Sequence, residues 1–156
     1  MVVTKFLEEQ GLGNQLWVYA AGRSISEKLG RPHVVIGRDV FKGKELLELD
    51  WGNEKLLSKG TYFQFHEELF YDHELFYLAP DFDNRVTKLP ERCYINGLFQ
   101  SEDYFFGRLA ELRNWIRTKD LVEKRSKIFA DRLILNIRGG EYKRHKNLIL
   151  PKTYWQ

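Results

Sequence analysis

The chain has 156 residues, of which 43% are hydrophobic and 30% charged, a composition that predicts a folded core and excludes a disordered chain. The 25 basic and 22 acidic residues leave a formal net charge of +3, too even a balance to indicate a nucleic-acid partner. No apolar run approaches the roughly 18 residues that span a bilayer, and acids occupy the stretch where a signal peptide has its apolar core. We therefore expect a cytoplasmic protein without a transmembrane segment.

The first elements predicted are a strand, a helix and a second strand. Residues 2–7 are rich in apolar side chains, residues 14–29 have apolar positions at helical spacing, and residues 33–37 are mostly β-branched. Asn14 is a suitable N-cap for the helix, and Gly30 is a suitable stop. Together they form one βαβ unit, which predicts an α/β fold with parallel strands.

The later elements are less regular. The patterns predict a helix with an aromatic face over residues 65–78, a strand over 94–98, a helix over 103–117 capped by Ser101, a helix over 121–130, and a buried strand over 132–138. The aromatic residues between 61 and 80 are expected in the core, the alternative being that some stack on sugar rings. The single cysteine, Cys93, excludes an internal disulfide and is expected to be a small buried residue.

A glycine-rich turn separates the first strand from the first helix. Gly11, Gly13, Asn14 and Gln15 form this turn, and we interpret them as residues of a phosphate-binding turn or cleft. Glycines let the backbone turn tightly and approach a ligand, and the positive end of a helix dipole attracts phosphate. The alternative is a tight strand-to-helix turn that binds nothing.

A dinucleotide-binding fingerprint is a second interpretation of the same turn. Gly11 and Gly13 match the first two glycines of G-x-G-x-x-G, but Leu16 stands in place of the third. Asp39 follows the second predicted strand, where an acid would bind ribose. Against this interpretation, three residues with two acids among them precede Gly11, whereas the fingerprint glycine follows its strand at once.

A second glycine-rich turn follows the strand over residues 132–138. Arg138 ends that strand and Gly139–Gly140 follow, so the guanidinium fork is positioned to bind two phosphate oxygens. Glu141 is positioned to orient the arginine or to accept hydrogen bonds from ribose; the alternative is a surface ion pair between Arg138 and Glu141. The basic run over residues 143–146 is expected to be a solvated loop.

Three sequence blocks, GLGNQLWVYAAGRSIS, YINGLFQSEDYF and LNIRGGEY with LPKTYW, occur along the chain in an order that resembles that of glycosyltransferase family 11, the α-1,2-fucosyltransferases. GLGNQLWVYAAGRSIS resembles the opening block of the family, YINGLFQSEDYF resembles its Y-x-x-G-Y-x-Q-S-x-x-Y-F, and LNIRGGEY with LPKTYW resembles H-x-R-R-G-D-Y with L-P-x-x-Y-Y. Asn136 replaces the family histidine, Gly139 the second arginine and Glu141 the aspartate, whereas Arg138 and Gly140 match. These departures leave the donor sugar open.

The resemblance implies the amino-terminal part of a GT-B glycosyltransferase, whose two Rossmann-like domains face each other across a cleft. Residues 1–131 would form the amino-terminal, acceptor-side domain, and residues 132–156 the start of an incomplete donor-binding domain. The first block would lie near the cleft. The implied donor-binding residues are Asn136, Arg138, Gly139, Gly140, Glu141 and Tyr142.

The reaction implied by the resemblance is an inverting transfer of L-fucose from GDP-fucose to the galactose 2-hydroxyl of a glycan acceptor. Arg138 would be the catalytic residue, because it would stabilise charge on the departing diphosphate. No metal and no cofactor are expected, and Asp81–Asp83 is interpreted as turn chemistry rather than a metal-binding D-x-D pair. The general base is open among His66, Glu67, Glu68, Asp72 and His73. The alternative function is a non-catalytic module that binds a nucleotide sugar or a glycan.

Overall fold

The computed structural model describes residues 1–73 and 77–131 of the chain. The described elements in chain order are β1 (Val2–Lys5), α1 (Leu12–Lys28), β2 (His33–Ile36), β3 (Leu47–Leu49), β4 (Phe63–His66), β5 (Leu69–Asp72), β6 (Tyr77–Pro80), β7 (Cys93–Asn96), α2 (Leu109–Trp115), β8 (Ile116–Thr118) and α3 (Asp120–Ser126). Short 3-10 helices cover Arg38–Val40, Glu54–Leu56, Asn84–Lys88, Glu102–Tyr104 and Lys127–Phe129. One compact unit comprises Met1–Glu123, and a second begins at Lys124.

A four-stranded sheet with the order β2–β1–β7–β4 is the centre of the first unit. All three strand pairs in it are parallel; Val2, for example, pairs with His33 on one side and with Cys93 on the other. The predicted βαβ unit of β1, α1 and β2 is confirmed. The fold is mixed α/β with a mainly parallel sheet, which is compatible with a Rossmann-like domain.

The helix predicted over residues 65–78 is wrong. β4 joins the edge of the parallel sheet, and β5 and β6 form an antiparallel pair in which Leu69 lies opposite Pro80. Phe65 in β4 is 4% exposed, whereas Gln64 and His66 on either side of it are exposed, the alternation of a half-buried strand. Aromatic residues favour strands, and pairing with distant β7 stabilises β4 in a way that local helical spacing does not reveal.

The bounds of α1 differ from the prediction by two residues at the start and by one residue at the end. Gly11, with φ −70° and ψ 162°, is the N-cap, so the prediction of Asn14 as N-cap is wrong: Asn14 lies inside the first turn. The predicted stop at Gly30 is confirmed, since Gly30 has φ 63° and its N–H donates to the Glu27 carbonyl at 3.1 Å. Arg31 N–H donates to Ser26 at 2.8 Å, which completes a Schellman motif.

The helix predicted over residues 103–117 is divided into three parts. Ser101 does act as a cap, but of the 3-10 helix Glu102–Tyr104, through a hydrogen bond of 3.4 Å from Asp103 N–H. Gly107 has φ 78°, a left-handed conformation that interrupts helical structure. α2 therefore begins at Leu109, and the chain then becomes strand β8, which pairs antiparallel with β3. The helix expected over residues 121–130 corresponds to α3 and the following 3-10 turn.

The helix α1 packs closely on the sheet at Gly22. A Cβ at this position would overlap Thr4 Cγ2 and lie 2.8 Å from His33 Nε2. The helix also contributes to two apolar clusters of buried residues. Val18, Ala21 and Ile25 belong to the first cluster, and Tyr19 belongs to the second. Buried apolar surface from one helix therefore stabilises the whole parallel sheet.

Candidate functional site

The candidate site lies at the carboxyl ends of the two central strands, β1 and β7. The chain passes from β1 to β2 on one side, whereas β7 and β4 lie on the other side of β1. In parallel α/β folds, ligands bind in the crevice outside the strand ends where the strand order reverses in this way. The loops that begin there are residues 6–11 after β1 and residues 97–101 after β7.

The amino-terminal end of α1 lies at this crevice and has no side-chain cap. Its first turn contains no acidic residue, and Lys28 is in its last turn. Apart from their chain neighbours and the nearby backbone of α1, no described residue has a heavy atom within 4 Å of where a Cβ on Gly11 or Gly13 would be, and neither glycine has a positive φ. The described fold thus leaves open space beside both glycines, at a helix end whose N–H groups and dipole favour an anion.

Gln15, the last residue of the predicted cleft turn, has a structural role instead. Its side chain is fully buried, and its Nε2 donates to the carbonyls of Leu7 at 3.3 Å and Val40 at 3.1 Å. Its Oε1 accepts from Lys42 N–H at 2.9 Å. The amide therefore satisfies backbone groups of the loops that follow β1 and β2, and because it is fully buried a ligand in the crevice does not reach it.

Asn14, in the first turn of α1, contacts the loop after β7. Its Oδ1 accepts a hydrogen bond of 2.8 Å from Gln100 Nε2, and the two residues are 86 positions apart in the chain. Asn14 belongs to the block GLGNQ and Gln100 to the block GLFQS. The two sequence blocks thus meet at the reversal point of the sheet, a contact that sequence patterns alone do not predict. Gln100 is a site residue that the sequence analysis did not single out.

Glu67 accepts hydrogen bonds from the backbone of the loop after β7. It follows β4 and is 8% exposed. Its Oε2 accepts from the backbone N–H groups of Leu98 at 2.7 Å and Phe99 at 2.8 Å, and its Oε1 accepts from Tyr104 Oη at 2.7 Å. Because three donors occupy this buried carboxylate, Glu67 is a poor candidate for the general base.

The loop after β7, to which Glu67 is bonded, has an unusual backbone conformation. Phe99 has φ 50°, a left-handed conformation that is uncommon for a residue other than glycine, and its side chain is fully buried. Its ring packs against Tyr104, with the centroids 5.2 Å apart. A Cβ on Gly97 would lie 2.5 Å from Glu67 Oε2, so only glycine lets the loop approach the carboxylate this closely.

Tyr104, which donates to Glu67, also contacts one of a pair of charged residues. Burial raises the pKa of Tyr104, and its hydrogen bond to Glu67 raises it further. Tyr104 Oη in turn accepts from Asp83 N–H at 3.0 Å. The Arg85 guanidinium, 2.6 Å from Asp83 Oδ2, holds the pKa of that carboxyl below its usual range. Asp83 Oδ1 also accepts from Arg85 N–H at 3.1 Å, so the predicted turn role of this aspartate is confirmed.

The remaining base candidates differ in their surroundings. His66, at the carboxyl end of β4, is exposed, and His73 is exposed with its ring 5.0 Å from that of Tyr71. The carboxylate of Glu68 forms an ion pair of 2.9 Å with Arg85. Cys93 is fully buried in β7, and burial raises the pKa of its thiol, so the prediction of a small buried residue is confirmed.

The described aromatic side chains between residues 61 and 80 differ in their burial. Phe65 is in the core, as expected, and stacks on Phe99 with the ring centroids 6.5 Å apart. Phe63 and Tyr71 are 49% and 47% exposed, so these two rings are accessible to solvent. Half-buried Tyr62 lies under Arg92, whose guanidinium carbon is 4.4 Å from the ring centroid.

A separate depression of about 790 Å³ lies at the carboxyl end of β2. It is lined by Ile36, Gly37, Arg38, Asp39, Gly52, Asn53, Glu54 and Lys55. Arg38 packs over the ring of Trp51 at 4.8 Å, and Asp39 is exposed. An exposed carboxylate at the end of the second strand is the feature that the dinucleotide interpretation requires.

The predicted donor-binding residues lie outside the described part of the chain. These are Asn136, Arg138, Gly139, Gly140, Glu141 and Tyr142, so their roles stay predictions. Within residues 1–73 and 77–131, no group of three or more His, Cys, Asp and Glu side chains is arranged to hold a metal ion. None of the described helices has the length and apolar character needed to cross a membrane.

Comparison with known proteins gives no relative against which this site can be read. No family model, curated protein or solved structure matches the chain. Function is therefore inferred from the geometry at the reversal point of the sheet and from the three sequence blocks.

Proposed function

We propose that this chain is part of a glycosyltransferase that transfers L-fucose from GDP-fucose to a galactose 2-hydroxyl of a glycan. The observation that carries the proposal is the 2.8 Å hydrogen bond between Asn14 and Gln100. It brings two of the three family-like blocks together at the crevice where parallel α/β folds bind ligands. A shared site formed by the two blocks is what a glycosyltransferase cleft would require.

The proposed reaction is a single displacement with inversion at the fucose C1. The galactose O2 attacks as the bond from C1 to the diphosphate oxygen breaks, through a transition state resembling an oxocarbenium ion. Arg138 donates hydrogen bonds to the departing diphosphate, whose negative charge grows in the transition state. The hydroxyl proton passes to a base, for which exposed His66 and His73 are candidates, or it leaves late in the reaction. No metal takes part in this scheme.

The experiment that tests this proposal is calorimetric titration of GDP-fucose, GDP, UDP and NADH into the protein at the full length that its reading frame encodes. We expect GDP-fucose and GDP to bind and UDP and NADH not to bind. Arg138→Ala should weaken GDP binding at least tenfold, because a charge-assisted contact to phosphate is lost. Arg113→Ala, an exposed arginine on α2, is the matched control and should leave binding unchanged.

A second assay follows transfer to a galactose-terminated acceptor. Asn14→Ala is expected to reduce kcat/KM about tenfold or more, since it removes the side chain that links α1 to the loop after β7. Binding of GDP-fucose without transfer would favour the non-catalytic module. Failure of GDP-fucose and GDP to bind the full-length protein would refute the proposal.

The dinucleotide interpretation is a second candidate, favoured by the depression at the end of β2 with its exposed Asp39. It predicts that NADH binds and that Asp39→Ala weakens this binding, because the carboxylate accepts hydrogen bonds from ribose hydroxyls. The same titrations therefore separate the two functions. Binding of NADH alone would replace the transferase with a nicotinamide-dependent protein.

A further inference from the structure

Glu67 is a buried carboxylate that forms no ion pair within the described part of the chain. None of the ion pairs formed by the described residues includes it. Burying a carboxylate is costly unless hydrogen bonds compensate, and the compensation here comes from Leu98 N–H, Phe99 N–H and Tyr104 Oη. An apolar residue at position 67 would avoid this cost, so the need for an acceptor at this place requires an explanation.

The two backbone donors belong to the loop that bends at Phe99. A left-handed φ of 50° at a phenylalanine persists only where the surroundings determine it. Glu67 Oε2 accepts hydrogen bonds from the N–H groups of Leu98 and Phe99, so a single oxygen atom holds the two consecutive peptide units that lead into the bend. Gly97 permits this approach because a side chain there would overlap the carboxylate.

Gln100 is the next residue in the chain after the bend at Phe99. Its side chain is exposed, and its Nε2 donates to Asn14 Oδ1 at 2.8 Å across the crevice. The position of this amide depends on the direction in which the chain leaves Phe99. A contact in the core, 33 positions earlier in the sequence, is thus transmitted to the surface of the site.

We propose that Glu67 is a positioning residue: its carboxylate fixes the bend at Leu98–Phe99 so that Gln100 meets Asn14 at the reversal point of the sheet. Gln100 is then the residue through which Glu67 acts, and Glu67 itself does not touch the ligand. The consequence for transfer depends on the proposed function, whereas the consequence for Gln100 does not.

The experiment compares Glu67→Met, Glu67→Gln and the control Glu45→Met, an exposed glutamate in the turn before β3. Hydrogen exchange of the Leu98 and Phe99 amides and of the Gln100 side chain is followed by NMR. We expect Glu67→Met to lose at least about tenfold in protection at all three groups, because hydrogen bonds to a carboxylate are lost. Glu67→Gln keeps one oxygen and should recover most of the protection, and Glu45→Met should match the wild type.

A second variant covers the case in which Glu67→Met does not fold. Gly97→Ala leaves the carboxylate in the chain but displaces it from the loop, so it should produce the same loss at Gln100. Unchanged exchange at Gln100 in every folded variant that alters the Glu67 contact would overturn the proposal. A purely structural role would lower the unfolding temperature while leaving Gln100 protection under native conditions at the wild-type level.

The transfer assay adds a test of coupling. If Glu67 acts through Gln100, Glu67→Met and Gln100→Ala reduce kcat/KM by similar factors, and the double variant loses no more than either single one. Full additivity would contradict action through Gln100. Absence of transfer by the wild type would count against the proposed function alone, since the exchange measurements decide the positioning role independently.

Discussion

His33 is a buried titratable side chain at the start of β2, on the side of the sheet that α1 covers. It is 5% exposed, its Nε2 lies 3.1 Å from Thr4 Oγ1, and its Nδ1 has no partner among the described residues. Burial lowers the pKa of His33 to about 3; the positive charge of Arg23 lowers it further, and Asp50 opposes the shift. The imidazole is therefore neutral in the folded protein at physiological pH.

This shift makes the stability of the sheet depend on pH. In the unfolded chain His33 binds a proton near pH 6.5, and in the folded chain only near pH 3. Unfolding therefore takes up a proton between these values, and the stabilisation present above pH 6.5 is lost as the pH falls through this window. The His33 contribution to the unfolding free energy should decrease by about 1.4 kcal/mol per pH unit below 6.5.

The measurement is urea unfolding of the wild type and of His33→Gln between pH 8 and pH 5. The stability difference between the two proteins should be constant from pH 7.5 to pH 8, where His33 is neutral in both states. Below pH 6.5 the wild type should lose stability more steeply than the variant. Parallel pH profiles throughout would show that the pKa of His33 in the folded protein is close to its ordinary value.

Single residues also mark what the sequence could reveal about the site. Gly11, Gly13 and Asn14 were predicted as cleft residues because strand-turn-helix patterns are local. Glu67 was interpreted only as a base candidate, because its burial depends on a loop about thirty residues further along the chain. One local signal did exist: Phe65 and Glu67 are two residues apart, so both belong to the buried face of one extended segment.

At the scale of the elements, predictability followed the range of the interactions. α1 was predicted closely because apolar spacing and a terminal glycine act within the helix. Residues 65–66 of β4 and 116–117 of β8 were predicted as parts of helices, because each strand is stabilised by a strand distant in sequence, β7 and β3 respectively. Strand preference depends on such neighbours more than helix preference does.

The helix α1 also offers a matched pair of substitutions. Gly22→Ala would add a methyl group against Thr4 and His33 and should destabilise the protein by about 1–3 kcal/mol, despite the higher helix propensity of alanine. Gly13→Ala places the same methyl group in open space in the first turn. It should leave stability unchanged or raise it by up to about 1 kcal/mol.

Chemical unfolding of both variants measures this difference in sign, with the wild type as reference. Equal effects at the two positions would mean that α1 does not pack on the sheet at Gly22. A folded and stable Gly13→Ala protein with weakened GDP-fucose binding would further indicate that the open space at this position serves a ligand rather than the fold.

At the scale of the whole molecule, the parallel sheet order places the candidate site. The βαβ unit was predictable from the sequence, whereas the insertion of β7 between β1 and β4 was not, because nothing local specifies which strand becomes a neighbour. That insertion brings residues 97–101 beside the amino-terminal end of α1. The strand order thus determines which loops meet at the crevice.

The same organisation makes a prediction about independent folding. The parallel sheet and both apolar clusters lie within Met1–Glu123. A fragment of residues 1–131 should therefore fold alone and unfold in one cooperative transition, because a unit with its own core does not require the residues that follow. Thermal unfolding followed by circular dichroism, with NMR of the Asn14 and Gln100 side-chain amides, tests this.

A fragment that lacks cooperative unfolding would show that the sheet depends on residues after 131. A folded fragment with the two amides still paired would mean that the acceptor-side half of the proposed cleft is preformed, so that any loss of GDP binding in it arises from the missing Arg138 segment alone.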